Sequence, residues 1–337
     1  MPLAAHCDLP AFGLLRREGV RVLAGADLQP RLNIGLLNLM PDAVLAATER
    51  QWMRLCSGFD GAVSYVYPCS CDAHERSATA QAHIARYYDT LATIKDRNLD
   101  LLIVTGANPR STDITHETFW QPLVDMVAWA RRCACPVVCS CLATHAVVKA
   151  LYGIDRRRLP EKCWGVYAHS LLEPNHPLVQ NIDTGWRAPH SHLYGVTRRQ
   201  LEDAGICVLA EGVEAGVYVA VSRKPLEFLF LQGHPEYDAN SLLKEFKREV
   251  RRFDADMIPE FPSMPEHCFG ADALETIAAL QVASVDAKTN GGPTPSFPEE
   301  QLEVNLRNVW SATGRQLFDN LLRLIHDAKG TRAGHSD

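Results

Sequence analysis

This sequence predicts an α/β fold built on a mostly parallel sheet flanked by helices, with a helical extension at the C-terminus. Three observations carry that prediction. Short apolar, β-branched runs alternate with helical patterns from residue 32 onward, the rhythm of strands joined by crossover helices. LDLLIVTGAN (99–108) reads as a nearly continuous apolar run rather than an alternating one, which marks a strand buried on both faces. The chain of 337 residues is 47% hydrophobic and 22% charged, so it can bury a substantial core and has the balance of a folded globular protein.

The elements follow in order. LNIGLLNLM (32–40) is the first strand, ended by Pro41. DAVLAATERQWMRLC (42–56) then takes helical spacing, with Asp42 placed to cap the helix or to meet its dipole from the first turn. AVSYVYPC (62–69) is the second strand and LDLLIVTGAN the third. HETFWQPLVDMVAWARR (116–132) is an amphipathic helix, and CPVVCS (135–140) is a buried strand that turns sharply into ATHAVVKALYGI (143–154). GVYAHSLL, ICVLAEG, VYVAVSRK and LEFLFLQGHPEYD (226–238) form a more antiparallel set, closed by the helix NSLLKEFKREVRRF (240–253). The main domain is therefore expected over residues 1–255, and an extension over 256–337. Within the extension, SVDAKTNGGPTPSFP (284–298) has a linker's composition, the segments 273–283 and 299–328 read as helices, and KGTRAGHSD reads as a disordered tail.

Charge and cysteine usage narrow the class. A formal net charge of -6 argues against a general nucleic-acid binder. The N-terminus lacks the pattern of a secretory leader, and no run reaches the length of a membrane span. Eleven cysteines, an odd number scattered through apolar segments, read as thiols in a reducing compartment, so a cytoplasmic address is expected.

The stretch VVCSCLATHA (137–146) concentrates the chemistry. As a metal site, Cys139, Cys141 and His145 supply three ligands where zinc usually takes four, and the cysteine spacing is that of one face of a strand. As a redox pair, one intervening residue makes a strained disulfide. As a nucleophile, Cys141 would sit between strand and helix, where backbone N–H groups and the helix dipole favour a thiolate. An ordinary buried cysteine at a strand end is the bland alternative. QGHPEYD (232–238) adds His234 at the end of another strand with Glu236 two residues on, an imidazole and the carboxylate to orient it. Cys141, His234 and Glu236 can thus form a triad. His145 is the competing base, but lacks an evident orienting acid, so it reads as a wall of the pocket.

With those residues in place, the sequence resembles the homoserine O-succinyltransferase family. LNLMP (37–41), LIVTGA (102–107), the cysteine before a helix ending in LYGI (151–154), EK-x-x-GVY (161–167), APHS (188–191), GHPEYD (233–238) and EF-x-R (245–248) appear in the family's order. The resemblance covers roughly residues 8 to 255. It implies a flavodoxin-like sheet of the class I glutamine amidotransferase type, with Cys141 as the acyl-accepting nucleophile, His234 as base and Glu236 as orienting acid. Lys162 and Ser191 match pocket positions, and Glu245 and Arg248 match those that hold the amino and carboxylate groups of the amino-acid substrate. Glu245 and Arg248 also share a helix face by spacing, offering an anion and a cation to a zwitterion. The chain departs from the family's usual residues at four places: Asp42 and Ala43 where a lysine is usual, His192 for arginine, His145 for glutamine, and Arg110 in the loop that helps choose the acyl donor. A guanidinium at 110 could pair with a succinyl carboxylate, which favours succinyl over acetyl.

The mechanism these residues imply is a ping-pong transfer from an acyl-CoA co-substrate, succinyl-CoA or acetyl-CoA, to the hydroxyl of homoserine, feeding methionine biosynthesis. The N–H of Leu142 would serve the oxyanion hole, joined by the loop after the first strand. The chemistry requires no metal and no bound cofactor. The run Arg156, Arg157, Arg158 reads as a solvated basic loop, with contact to CoA phosphates as its functional alternative. Partners are small-molecule substrates, with neither nucleic acid nor membrane; a homodimer is carried as an expectation that no sequence feature supports. The competing functions are transfer to serine or another hydroxy amino acid, a glutaminase-type amidohydrolase on the same triad, and a non-catalytic amino-acid-binding paralogue.

Overall fold

A computed structural model describes residues 2–25, 27–71, 76–222, 226–304 and 306–333. The chain opens with β1 (Leu3–Ala5), α1 (Pro10–Arg17) and β2 (Val22–Ala24), then continues through β3 (Arg31–Leu37), α2 (Leu45–Leu55), β4 (Val63–Cys69), α3 (Ala78–Tyr87) and β5 (Leu101–Val104). Next come α4 (Trp120–Arg132), β6 (Val137–Ser140), α5 (Leu142–Tyr152), β7 (Arg157–Leu171), β8 (Trp186–Gly195) and α6 (Arg198–Asp203). The remainder is β9 (Ile206–Gly212), β10 (Gly216–Ser222), β11 (Phe228–Leu231), α7 (Ser241–Asp254), α8 (Ala271–Asn290), α9 (Glu299–Glu303) and α10 (Ser311–Ala333).

The strands make one sheet in the order β2-β1-β4-β3-β5-β6-β11-β10-β9-β7-β8. From β2 to β11 every pairing is parallel; from β11 onward every pairing is antiparallel. The apolar runs at 101–104, 137–140 and 228–231 are fully buried, as strands covered on both faces must be. One face carries α1, α2 and α10, whose Leu15, Trp52 and Phe318 share a core with Ile34 and Leu229. The other carries α4 and α5 through Met126, Val127 and Val147. A third cluster joins α7, α8 and α9 to Trp164 and Val166 of β7.

The structure adjusts several sequence-level expectations. The three-residue strands β1 and β2 were not foreseen, being too short to show a period of two. Asp42 does not cap α2: its carboxylate accepts from the Ser77 N–H at 2.7 Å and pairs with Arg76 at 3.0 Å, and α2 begins after a 3₁₀ turn at Asp42–Val44. Helix α8 continues to Asn290 and stops at Gly291 (φ 74°), so the stretch expected as a linker from 284 is irregular only beyond that glycine. Residues 299–328 form two helices, because the Asn308 side chain accepts from the Trp310 and Ser311 N–H groups and starts α10 afresh. The first residues of the expected disordered tail are helical through Ala333; residues 334–337 lie outside those described.

Helix α10 is more than an addition to the surface. Leu317, Phe318, Leu321 and Leu322 are wholly buried, and Asn320 donates to the carbonyls of Leu178 and Gln180. Among the described residues no helix is long and apolar enough to cross a membrane, and no cysteine is in a disulfide.

Candidate active site

Cys141 and His234 follow β6 and β11, two parallel strands paired side by side, and so meet at the same edge of the sheet. Cys141 lies between β6 and α5 with φ 49° and ψ −108°. A non-glycine residue in that conformation is strained by about 1–3 kcal/mol, and surrounding bonds must hold it. They do: the Cys141 N–H donates to Leu231 O at 2.6 Å, and Thr144 Oγ1 donates to Cys139 O at 2.8 Å. The turn thrusts the Cys141 thiol out of the strand while Cys139, two residues earlier, is completely buried. Burial pushes the Cys139 thiol far above its ordinary pKa, so it is packing for the strand.

Strand β11 pairs with β6 and delivers the second half of the site. His234 follows it, with Nδ1 2.8 Å from Glu236 Oε1, and the ring is close enough to Cys141 for the thiol to act on its ionisation. Nδ1 being committed to Glu236, Nε2 is the nitrogen that faces sulfur. Burial by itself lowers the imidazole's pKa, but the Glu236 charge, the Cys141 thiol and the bond to Glu236 outweigh it and hold it well above 6.5.

Two flanking elements keep this loop in place. Arg54 of α2 donates to Glu236 O at 3.0 Å, and Arg50 and Arg54 both pair with Asp238. From the C-terminal side, Trp310 Nε1 donates to Tyr237 O at 3.0 Å. Gly314 of α10 lies so close that a Cβ there would meet the Pro235 Cβ and carbonyl oxygen, each at 3.0 Å.

Two backbone segments come close to the Cys141 side chain. The Leu142 N–H belongs to the first turn of α5 and has no intrahelical acceptor. Gly106, in the loop after β5, lies against the elbow: a Cβ there would sit 3.5 Å from Cys141 Cβ and 3.9 Å from Leu142 N. The segment that approaches Cys141 is thus the one following β5, whereas the sequence reading looked to the loop after the first strand. That first loop is turned inward, with Asn38 donating to Leu45 O and the Leu39 N–H to Thr105 Oγ1.

His145 is buried and does not act beside an acid. Burial lowers it to about 4, and Nε2 meets Gln232 Oε1 at 2.7 Å. Its neutral N–H thereby turns the Gln232 amide nitrogen toward Cys141 Sγ, 3.9 Å away. Gln232 was not foreseen by the sequence reading, although it directly precedes the GHPEYD motif.

A second constellation surrounds Glu245 of α7. Ser191 Oγ donates at 2.6 Å, Tyr237 Oη at 2.8 Å, and Lys162 Nζ lies 3.4 Å away. Burial opposes ionisation, yet Lys162 and the two hydroxyls together lower the Glu245 pKa below its usual range. Tyr237 stacks on His234 with centroids 4.3 Å apart, linking this carboxylate to the triad. Sequence reasoning missed Tyr237 too, its place inside GHPEYD being the available signal. Arg248 stands apart: its guanidinium pairs with Glu249 at 3.0 Å and its side chain is 47% exposed, although its charge is felt at Lys162. Arg110 is exposed, with only its backbone N–H held, by buried Glu117 at 2.7 Å.

His192 belongs to a chain of buried rings. Its Nδ1 lies 2.8 Å from Tyr194 O, its Nε2 3.0 Å from His190 Nδ1, and His190 Nε2 3.0 Å from His169 Nε2. A carbonyl only accepts, so His192 Nδ1 carries the hydrogen, His190 Nδ1 donates to His192, and His169 donates to His190. Burial keeps His192 at about 3 and His169 at about 4. The ligand atoms of Cys163, His190 and His192 fall within 4.8 Å of one another, but the two facing nitrogens are already paired as donor and acceptor.

A strained cysteine elbow, an imidazole backed by a carboxylate, and a helix-start N–H on a mostly parallel sheet define an α/β protein equipped for nucleophilic acyl transfer. The profile of the homoserine O-succinyltransferase family matches residues 2–330. Curated proteins called homoserine O-succinyltransferase are similar over nearly their whole length. That of Allochromatium vinosum is 43% identical, with 97% of this chain and 93% of the relative covered. For Methylobacter tundripaludum the values are 42%, 98% and 96%, and for Thiobacillus denitrificans 40%, 99% and 95%. This chain belongs to the homoserine O-succinyltransferase family. Among solved structures, a glutamine amidotransferase from Thermotoga maritima is 10% identical with a TM-score of 0.49, covering 87% of this chain and 98% of its own. One from Methylobacillus flagellatus is 12% identical with a TM-score of 0.44, covering 89% and 95%.

Proposed function

We propose that this chain transfers a succinyl group from succinyl-CoA to the hydroxyl of homoserine through a Cys141 acyl-enzyme. The observation that carries the reading is the line Cys141–His234–Glu236 at the elbow, with the partly buried Glu245 carboxylate joined to it through the Tyr237 ring. Cys141 Sγ attacks the thioester carbonyl while its proton rests on His234 Nε2. The oxyanion is held by the Leu142 N–H and the backbone beside Gly106. The tetrahedral intermediate collapses, and the leaving CoA sulfur takes the proton from His234. Homoserine then gives its hydroxyl proton to His234, and the oxygen attacks the enzyme thioester. As that second intermediate breaks, Cys141 leaves as the thiolate and O-succinylhomoserine departs.

Glu245 receives the substrate ammonium and Lys162 its carboxylate, with Arg248 adding its charge from the exposed side of Lys162. Ser191 and Tyr237 hold the Glu245 oxygens for this purpose. The reading favours the cytoplasm, where CoA thioesters are available.

The test is a substrate matrix: acetyl-, succinyl- and malonyl-CoA, each with homoserine, serine and threonine, read by free CoA thiol and product mass. Succinyl-CoA with homoserine should be fastest. Cys141→Ala should abolish both turnover and the mass of the acyl-enzyme, while Cys139→Ala should retain both. The reverse pattern, or ammonia release from glutamine without acyl transfer, would refute the reading.

A further inference from the structure

We propose that Arg156 binds the free carboxylate of the succinyl group and so selects the acyl donor, an inference that rests on the acyl-transfer reading above. Arg156 lies between the end of α5, the helix that follows Cys141, and the start of β7. Its Nη2 donates to Ser111 O at 3.0 Å and Thr112 O at 3.1 Å, and its guanidinium carbon lies 4.0 Å from the centre of the Tyr194 ring. Those contacts fix the plane of the group. Nε and Nη1, by contrast, are buried and have no hydrogen-bond partner among the described residues. Two desolvated donors left unused on a half-buried guanidinium are costly unless an anion arrives to meet them.

The surroundings place that anion at the acyl end of the site. The loop whose carbonyls hold Arg156 leaves β5 at the same place as Gly106, which lies against the elbow. Cys141 is near enough for its charge to act on Arg156, and Arg156 acts on His145, whose partner Gln232 faces the sulfur. The anionic groups in reach do not meet those nitrogens. Glu117 Oε1 is spent on the N–H groups of Arg110 and Ser111, both at 2.7 Å, and Asp113 Oδ1 accepts from the N–H and hydroxyl of Thr115. Burial lowers the guanidinium's pKa in spite of these neighbours. A succinyl thioester carries its carboxylate a few bonds beyond the reacting carbonyl, whereas acetyl and butyryl groups carry none. The sequence reading gave donor choice to Arg110 and solvent to Arg156; the exposed Arg110 has no desolvated donors to satisfy, and Arg156 has.

The experiment follows the first half-reaction, which does not involve homoserine. Acylation of the full-length chain by succinyl-CoA and by butyryl-CoA, a neutral chain of equal length, is timed by intact mass and CoA release for wild type, Arg156→Met and Arg156→Lys. Arg156→Met should slow succinylation about 100-fold, the worth of hydrogen bonds to a charged group, and leave butyrylation within about threefold. Arg156→Lys should recover part of the loss. Equal slowing with both donors would mean that Arg156 only supports the loop at 111–112 and would overturn the proposal. So would a succinyl preference that survives Arg156→Met or disappears with Arg110→Met. A wild-type chain acylated by neither donor would instead remove the acyl-transfer reading, and this proposal with it.

Discussion

Glu236 offers the sharpest test of how the elbow is activated. Its Oε1 lies 2.8 Å from His234 Nδ1, and both groups are buried. Two full charges at that distance attract by about 6 kcal/mol at an effective dielectric constant near 20. Glu236→Gln removes the charge and keeps a hydrogen-bonding group, so about half of that term, about 3 kcal/mol, should be lost from the imidazolium formed during acyl transfer. The expected cost is roughly 200-fold in the rate of Cys141 acylation by succinyl-CoA, measured in a single turnover by intact mass. The same substitution has a signature in stability. His234 is held well above 6.5 in the folded chain, burial opposing and Glu236 prevailing. A raised pKa contributes stability that is complete below about 6.5 and is lost as pH climbs through the raised value. In Glu236→Gln only Cys141 still opposes burial, so the alkaline loss of stability should shrink. Acylation within threefold of wild type, or an unchanged alkaline stability profile, would refute the charge as the source of activation.

Two further outcomes follow from the same geometry. His145 and His169 at about 4, His192 at about 3 and His190 well below 6.5 are kept neutral chiefly by burial. Between pH 6.5 and 5.5 the unfolded chain takes up protons that the folded chain refuses, about 1 kcal/mol per histidine and about 4 kcal/mol together. The urea midpoint should therefore fall steeply across that interval, and a flat midpoint would count against the neutral chain. Phe318→Ala removes a wholly buried ring 5.7 Å from Trp52 and should cost about 3–5 kcal/mol in equilibrium unfolding; a cost under about 1 kcal/mol would make α10 a loose attachment.

Much of the parallel half was legible in the sequence. The runs at 99–108 and 135–140 announced buried strands because their apolar residues leave no face for solvent, and α7 showed its buried side through Leu242, Leu243, Phe246 and Val250; the run at 226–238, read with the antiparallel set, instead supplies β11, which pairs parallel with β6 and antiparallel with β10. The elbow at Cys141 was legible because a short β-branched strand meets a helical pattern without an intervening loop. What escaped was whatever depends on contacts between distant segments. No local pattern says that Trp310 and Gly314 would close over the loop of His234 and Glu236, or that Tyr237 would both stack on His234 and hold Glu245. Arginines 110 and 156 illustrate the same limit: adjacent charges and loop positions gave no measure of burial, and the fold exposes one and desolvates the other.

By itself, then, the sequence determined the elements, their mostly parallel arrangement and the motifs that mark the family, because period, turn chemistry and residue type act over a few neighbouring positions. Tertiary structure alone decided which charges are stripped of water. Packing of β8 against β7 turned three histidines into a neutral chain, and the meeting of α7 with those strands put Glu245 beside Lys162 and Ser191. Solvation is a property of the space around a group, and that space is enclosed only when segments far apart in the chain come together.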